Sequence, residues 1–284
     1  MIVRFKRPDG SIGWGWKSTQ GIQDVCGADD SLPVSTREVI LRWDELKSRV
    51  VSLIKKLGPA EEDLEVLCPL DQPGKILCIG LNYRDHAIET NAAIPDEPIV
   101  FSKAPTTLIG PDVPIEVPSI SNQVDFEAEL VVVVGKRLRK ASQEQARQAI
   151  FGYTAGNDVS ARDWQKEKPG KQWLLGKSFD TFAPLGPAIA LASSIPDPGK
   201  LRIQSRLNGK LMQDSSTREL IFAPEMLLSY ISQVLTIEPG DLLFTGTPAG
   251  VGVARSPQVF LKPGDRIEVE IEAIGVLSNP CAEG

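Results

Sequence analysis

The sequence predicts a β-rich α+β protein: a large sheet-built domain with short helices, preceded by a small α/β module. Three observations lead there. From Lys75 onward, short apolar runs are separated by Gly and Pro, among them Pro111, Pro114, Pro118, Pro184 and Pro187. The chain carries 22 prolines and 24 glycines, a punctuation that suits many short strands better than long helices. No regular alternation of strand and helix is present, so neither a Rossmann sheet nor a β/α barrel is expected.

The first module, residues 1–70, opens with two apolar runs, Ile2 to Phe5 and Ile12 to Trp16. They flank the turn sequence Pro8-Asp9-Gly10-Ser11, where glycine supplies positive φ. One helix comes next. Ser35 and Glu38 have the spacing of a capping box, and Val39, Ile40, Trp43, Leu46, Val50, Leu53 and Ile54 recur at helical intervals. Gly58-Pro59 is a stop signal, and an acidic connector from Glu61 to Glu65 leads to the second domain, residues 71–284. That domain should hold short helices around Asp85–Thr90, at Gln143–Phe151 and at Pro224–Gln233.

Bulk properties narrow the function. The chain has 284 residues, 42% hydrophobic and 24% charged, enough for one large domain plus a small one. A net charge of −6 and a pI near 5.1 argue against nucleic acid or an anionic membrane as partner. No apolar run approaches the roughly twenty residues that cross a bilayer, and the N-terminus lacks a signal peptide's apolar stretch and cleavage site. Cys26, Cys68, Cys78 and Cys281 are scattered with no C-x-x-C pair, as in a reducing, cytoplasmic-type compartment; a mitochondrial one stays open.

The chemistry centres on Val124-Asp125-Phe126-Glu127-Ala128-Glu129-Leu130, which runs into four valines and stops at Gly135. Such a run reads as a buried strand, and alternation puts Glu127 and Glu129 on one face. Two ionised carboxylates side by side are costly to desolvate, and a divalent cation removes that cost. The other reading is the wet face of a half-buried strand. Glu268, Glu270 and Glu272 supply the control, since they alternate with Val269 and Ile271 as a solvated face does.

Other segments add candidates. The lone histidine, His86, lies three residues before Glu89. On a helix the carboxylate would orient the imidazole as a general base for water; the alternative is an incidental surface pair. Asp158 follows the small residues Thr154-Ala155-Gly156 and is either a third carboxylate ligand or a helix N-cap. Three carboxylates with no cysteine or second histidine suit Mg²⁺ or Mn²⁺ before Zn²⁺. Arg162 and Gln165, one helical turn apart, could hold a substrate carboxylate. Gly170 and Gly176-Lys177-Ser178 miss the phosphate-loop spacing and are followed by a segment that cannot open a helix. Lys177 stands as a cation for a developing enolate. Thr245 to Gly252 is a glycine-rich loop after the apolar run Leu242–Phe244.

Taken in order, Gly80-Leu81-Asn82-Tyr83 with His86 and Glu89, Asp125 to Leu130, Gly156-Asn157-Asp158 with Arg162 and Gln165, Lys177 to Pro187, Leu207-Asn208-Gly209, and Pro239-Gly240-Asp241 leading to Thr245-Gly246-Thr247-Pro248 resemble the fumarylacetoacetate hydrolase superfamily. The likeness is strongest to its domain-containing-2 branch and covers about residues 70 to 280. It implies a mixed β-sandwich roll, a homodimer, and Mg²⁺ or Mn²⁺ held by Glu127, Glu129 and Asp158. It also implies a lid around His86 and Glu89, with Lys177 and Thr247 lining the site and Arg162 and Gln165 near the substrate. At Asn82 the chain departs from the larger fumarylacetoacetases, which carry a further carboxylate there, so a three-carboxylate centre is expected.

The expected activity is metal-dependent hydrolysis of a C–C bond in a 2,4-dioxo acid, an acylpyruvate or a diketo-deoxy-sugar acid, with His86 and Glu89 activating water. The alternative is tautomerisation or decarboxylation of oxaloacetate on the same centre. A third reading is a non-catalytic binding protein on this fold.

Overall fold

The structure is a computed structural model and describes residues 1–58 and 64–284. The short apolar runs between turns become the strands of two main sheets. An eleven-stranded sheet has the path Gly21–Gln23, Ile12–Ser18, Ile2–Lys6, Ala183–Leu191, Ile150–Asn157, Ala128–Val134, Leu242–Phe244, Ile76–Gly80 and Ile99–Lys103. Two short strands, Glu65–Leu67 and Leu108–Ile109, pair beside it. A second sheet of five strands runs Lys210–Ser216, Arg202–Leu207, Arg266–Ile271, Gly275–Glu283 and Ile115–Val117.

The central strand Ala128–Val134 explains the uninterrupted valines. Leu130, Val132 and Val134 pack with Ile203, Val269, Ile271 and Leu277 of the second sheet and with Leu227, Leu228 and Ile231 of the helix Pro224–Ser232. Val131 and Val133 face the other way, into a core with Trp14, Val39, Ile40, Leu46 and Val50. A strand covered on both faces has no polar side to alternate with, so it reads as a continuous apolar run. The first strand is hydrogen-bonded into the same sheet at Ile2↔Ile189. The first 58 residues therefore share a sheet and a core with the larger C-terminal part of the chain.

Several expected boundaries move. The single N-terminal helix is two, Thr36–Leu41 and Trp43–Ile54, parted at Arg42 where φ is −103° and ψ 14°. Ser35 Oγ accepts from the Glu38 N–H at 3.3 Å, but the Glu38 carboxylate turns to Arg42 at 3.2 Å instead of closing a capping box. The helix expected at Gln143–Phe151 ends at Gln148. Ile150 and Phe151 instead begin the strand Ile150–Asn157, whose apolar side chains are drawn between two neighbouring strands. Pro59 and most of the acidic connector after it lie outside the described residues. Glu268 and Glu270 are half-buried at the sheet surface, with Val269 and Ile271 buried beside them.

Candidate metal centre

The long strand expected from Val124 to Val134 is interrupted, and the interruption makes the site. Val124–Asp125 pairs with Ser160–Ala161, whereas Ala128–Val134 pairs with Ile150–Asn157. Glu127 sits at the switch between partners. Its N–H donates to Asn157 Oδ1 at 2.9 Å, and its carbonyl accepts from the Asp158 N–H at 2.9 Å. Register then places Glu129 opposite Gly156. Carboxylate oxygens of Glu127, Glu129 and Asp158 lie within 4.8 Å of one another, all three residues buried.

Buried like charges need compensation, and lysines supply most of it. Lys177 Nζ donates to Glu127 Oε2 at 2.8 Å and to Asp158 Oδ2 at 2.7 Å. Lys103 Nζ donates to Asp158 Oδ1 and to the Val159 carbonyl. Arg162 Nη2 lies 2.6 Å from Glu127 Oε1. Burial alone would raise the Glu127 carboxyl, but Lys177 and Arg162 outweigh it and hold it well below the usual carboxylate range. Lys177 is likewise opposed by burial, yet Asp158 and Glu127 raise it above an ordinary lysine.

Glu129 is the exception, and it decides whether a cation fits. Its Oε2 accepts one N–H, from Gly246 at 2.8 Å, and no cationic side chain pairs with it among the described residues. Burial first, then the charges of Asp158 and Glu127, push its carboxyl well above the usual range. Within this cluster four buried carboxylates, counting Asp125, meet three buried cations, Lys103, Lys177 and Arg162. An all-oxygen donor set with one carboxylate left uncompensated fits a hard divalent cation, Mg²⁺ or Mn²⁺.

Three residues that the sequence reading did not single out hold this arrangement. Lys103 ends the strand Ile99–Lys103 and is fully enclosed. Asp125 accepts from Arg162 Nε at 2.9 Å, from the Gly252 N–H at 2.7 Å and from the Val253 N–H at 3.0 Å. Gly252 is required for that approach, because a Cβ there would run into the Val259 carbonyl and the Asp125 carboxylate. Gln213 is the third, donating to Thr247 Oγ1 at 2.8 Å and to the Pro248 carbonyl at 2.9 Å.

A cavity of about 360 Å³ opens onto Glu127. His86, Glu127, Arg162, Gln165, Lys177 and Thr247 line it, with Ile79, Leu81, Ile99, Phe101 and Trp173 as its apolar wall. A larger cavity of about 630 Å³ near Arg147, Tyr153 and Arg218 holds none of these residues. His86 lies on the helix Arg84–Glu89, with Nδ1 3.2 Å from Glu89 Oε2. The other oxygen of Glu89 accepts from the Gly250 N–H at 2.9 Å, which ties this helix to the glycine-rich loop. Asn82 is spent on backbone: it donates to the Thr245 carbonyl at 2.7 Å and accepts from the Phe222 N–H at 2.8 Å.

Arg162 lines the cavity and is at the same time paired within the protein. Its three nitrogens face Asp125, Glu127 and Gln165, so it orders the centre before it meets a ligand. Gln165 Oε1 accepts from Arg162 Nη1 at 3.0 Å. Because a guanidinium only donates, the Gln165 amide nitrogen faces away and keeps its own donors. Thr247 Oγ1 accepts from Gln213, which leaves its hydroxyl proton to give.

Comparison with known proteins identifies the family. Residues 75–282 match the family model described as fumarylacetoacetate (FAA) hydrolase C-terminal. A protein of Xenopus laevis named oxaloacetate tautomerase, mitochondrial, is 44% identical over 284 residues, covering 98% of this chain and 89% of its own. A Homo sapiens protein of the same designation is 46% identical over 283 residues, with 98% and 90% covered. Among solved structures, a fumarylacetoacetate hydrolase from Exiguobacterium antarcticum superposes with TM-score 0.89 at 35% identity, covering 100% of this chain and 99% of its own. A maleylpyruvate hydrolase from Sphingobium sp. SYK-6, in complex with manganese(II) and pyruvate, gives TM-score 0.82 at 27% identity, with 99% of each chain covered. With the family pattern spanning most of its length and relatives of this similarity, the chain belongs to the fumarylacetoacetate hydrolase family.

Proposed function

We propose that this enzyme is a metal-dependent tautomerase of oxaloacetate, interconverting its enol and keto forms. The observation that carries the reading is His86, which lines the same cavity as Glu127, Arg162 and Lys177 and is held from behind by Glu89. The names of the two relatives matched over 98% of the chain support the same choice. They favour it over the C–C hydrolase expected from the sequence.

Tautomerisation moves one proton. The enol O–H is lost, its electron pair closes the C2=O bond, and the C2=C3 pair takes a proton at C3. Glu89 holds His86 through Nδ1, which leaves Nε2 to take and return that proton. The amide nitrogen of Gln165 and the hydroxyl of Thr247 donate to the substrate carboxylate, and Lys177 adds positive charge at the cavity floor. A Mg²⁺ or Mn²⁺ held by Glu127, Glu129 and Asp158 would supply electrostatic stabilisation of negative charge on the 2-oxo acid. The apolar wall formed by Ile79, Leu81, Phe101 and Trp173 keeps bulk water from the carbanionic carbon. As a homodimer the enzyme would have two such sites; the His86 helix would act as a lid held by the Gly250 contact. The relatives' names carry a mitochondrial compartment, which four free cysteines also suit.

The test follows the enol absorbance of oxaloacetate with Mg²⁺, with Mn²⁺ and with chelator, while pyruvate is assayed in parallel. Metal-dependent loss of the enol signal without pyruvate is the expected result. Pyruvate from oxaloacetate would instead mean decarboxylation. A second reading, hydrolysis of an acylpyruvate, draws on the likeness to maleylpyruvate hydrolase, and cleavage of that substrate would establish it. The variant His86→Ala should lose about 10²–10⁴-fold in rate while still binding metal; loss of metal in that variant would remove its role in proton transfer.

A further inference from the structure

We infer that Lys166 makes this site selective for dicarboxylic over monocarboxylic 2-oxo acids, by meeting the carboxylate remote from the metal centre. The inference rests on the proposed reaction with a 2-oxo acid and adds which end of the substrate is recognised, and by what. Most positive charges at the cavity are already paired within the protein. Lys177 is committed to Glu127 and Asp158, and Arg162 to Asp125 and Glu127. Lys103, behind the wall, is committed to Asp158. Lys166 lines the same cavity, one residue after Gln165 on the helix Arg162–Lys166, and has no hydrogen bond or ion pair among the described residues.

The surroundings of Lys166 favour an anion there. It is exposed at the cavity; partial burial first, then Arg162 and Lys177, lower its ammonium below an ordinary lysine, while Glu127 and Asp125 pull the other way. A substrate carboxylate beside Lys166 would meet an ammonium that no protein carboxylate pairs with among the described residues. No other lining residue among those described offers a second anion site. The opposite wall is apolar, and the Thr90 hydroxyl already donates to the His86 carbonyl at 2.8 Å. A substrate with one carboxylate at Gln165 and Thr247 would carry its second one past the apolar wall toward Lys166. A flexible four-carbon stem suits such an end contact, because it follows the ligand without demanding bidentate geometry.

The experiment compares wild type, Lys166→Met and Lys166→Arg, all loaded with Mg²⁺, on oxaloacetate and on the monocarboxylic 2-oxobutanoate. Turnover is read as enol loss for oxaloacetate and as deuterium exchange at C3 for 2-oxobutanoate. Binding of both acids is read by calorimetry. Lys166→Met should raise KM and Kd for oxaloacetate by about ten-fold, with kcat little changed and 2-oxobutanoate unaffected. Lys166→Arg should restore most of the preference. An unchanged ratio between the two acids in Lys166→Met, or an equal loss for both, would overturn the inference. A wild type that binds both acids but converts neither would overturn the tautomerase reading instead. The calorimetric ratio would then still decide Lys166.

Discussion

Two strands of this protein carry the same pattern and use it in opposite ways. Glu127 and Glu129 are two residues apart near one end of a strand, and so are Glu268 and Glu270. In the second pair, valine and isoleucine alternate beneath the carboxylates, water reaches them, and Arg206 meets Glu270 at 2.7 Å at the surface. The first pair lies where a strand changes partners, so both acids are turned into the protein among two lysines and an arginine. Spacing alone does not separate metal ligand from wet surface. What separates them is whether the neighbouring apolar residues occupy one face or both.

That contrast can be broken by substitution, beginning with the largest effect. Glu129→Gln keeps the shape and removes the carboxylate that no side chain compensates. It should abolish divalent cation binding, measured by metal analysis after dialysis, and lower turnover by more than the roughly 10–100-fold that a residue behind a metal ligand costs. Retained stoichiometric metal would remove Glu129 from the ligand set.

Next comes Lys103→Met, which leaves Asp158 buried beside one cation fewer. The metal-free variant should lose about 3–5 kcal/mol of stability in a denaturant titration; a loss below about 1 kcal/mol would place Lys103 outside the charge balance. Adding Mg²⁺ or Mn²⁺ at about 100 times its Kd should stabilise the wild type by about 2.7 kcal/mol. The same addition should leave Glu129→Gln unmoved, and equal stabilisation of both would locate the bound ion elsewhere. At the small end, Glu270→Gln should change stability by no more than about 1 kcal/mol and leave metal content alone.

The buried carboxylate cluster is legible in the sequence because its members lie in short, ordered segments with unusual neighbours, and His86 is legible because it is the lone histidine. The sheet-rich fold is readable from punctuation for the same reason: turns are local. Lys103 is not readable. At the end of Ile99-Val100-Phe101-Ser102 it resembles any charged residue closing a strand, and its partner Asp158 is 55 positions away. Asp125 is hidden differently, as one polar residue in a run that reads as a single strand. The break at Phe126–Glu127 comes from pairing with two different neighbours, which no local propensity encodes. The helix end at Gln148 is misplaced for a related reason, since Ile150 and Phe151 suit a helix face locally but are claimed by the sheet.

Asp125 also bears on how the protein comes to exist. Its carboxylate joins residue 162, 37 positions later, and residue 252, 127 positions later. Contacts so distant in sequence close late, because chain entropy must be overcome before they give anything back. The candidate cation site is therefore a product of the finished fold, assembled only when the segments around residues 125, 162 and 252 have met. During refolding, metal uptake would lag behind sheet formation and time the last joining of the chain.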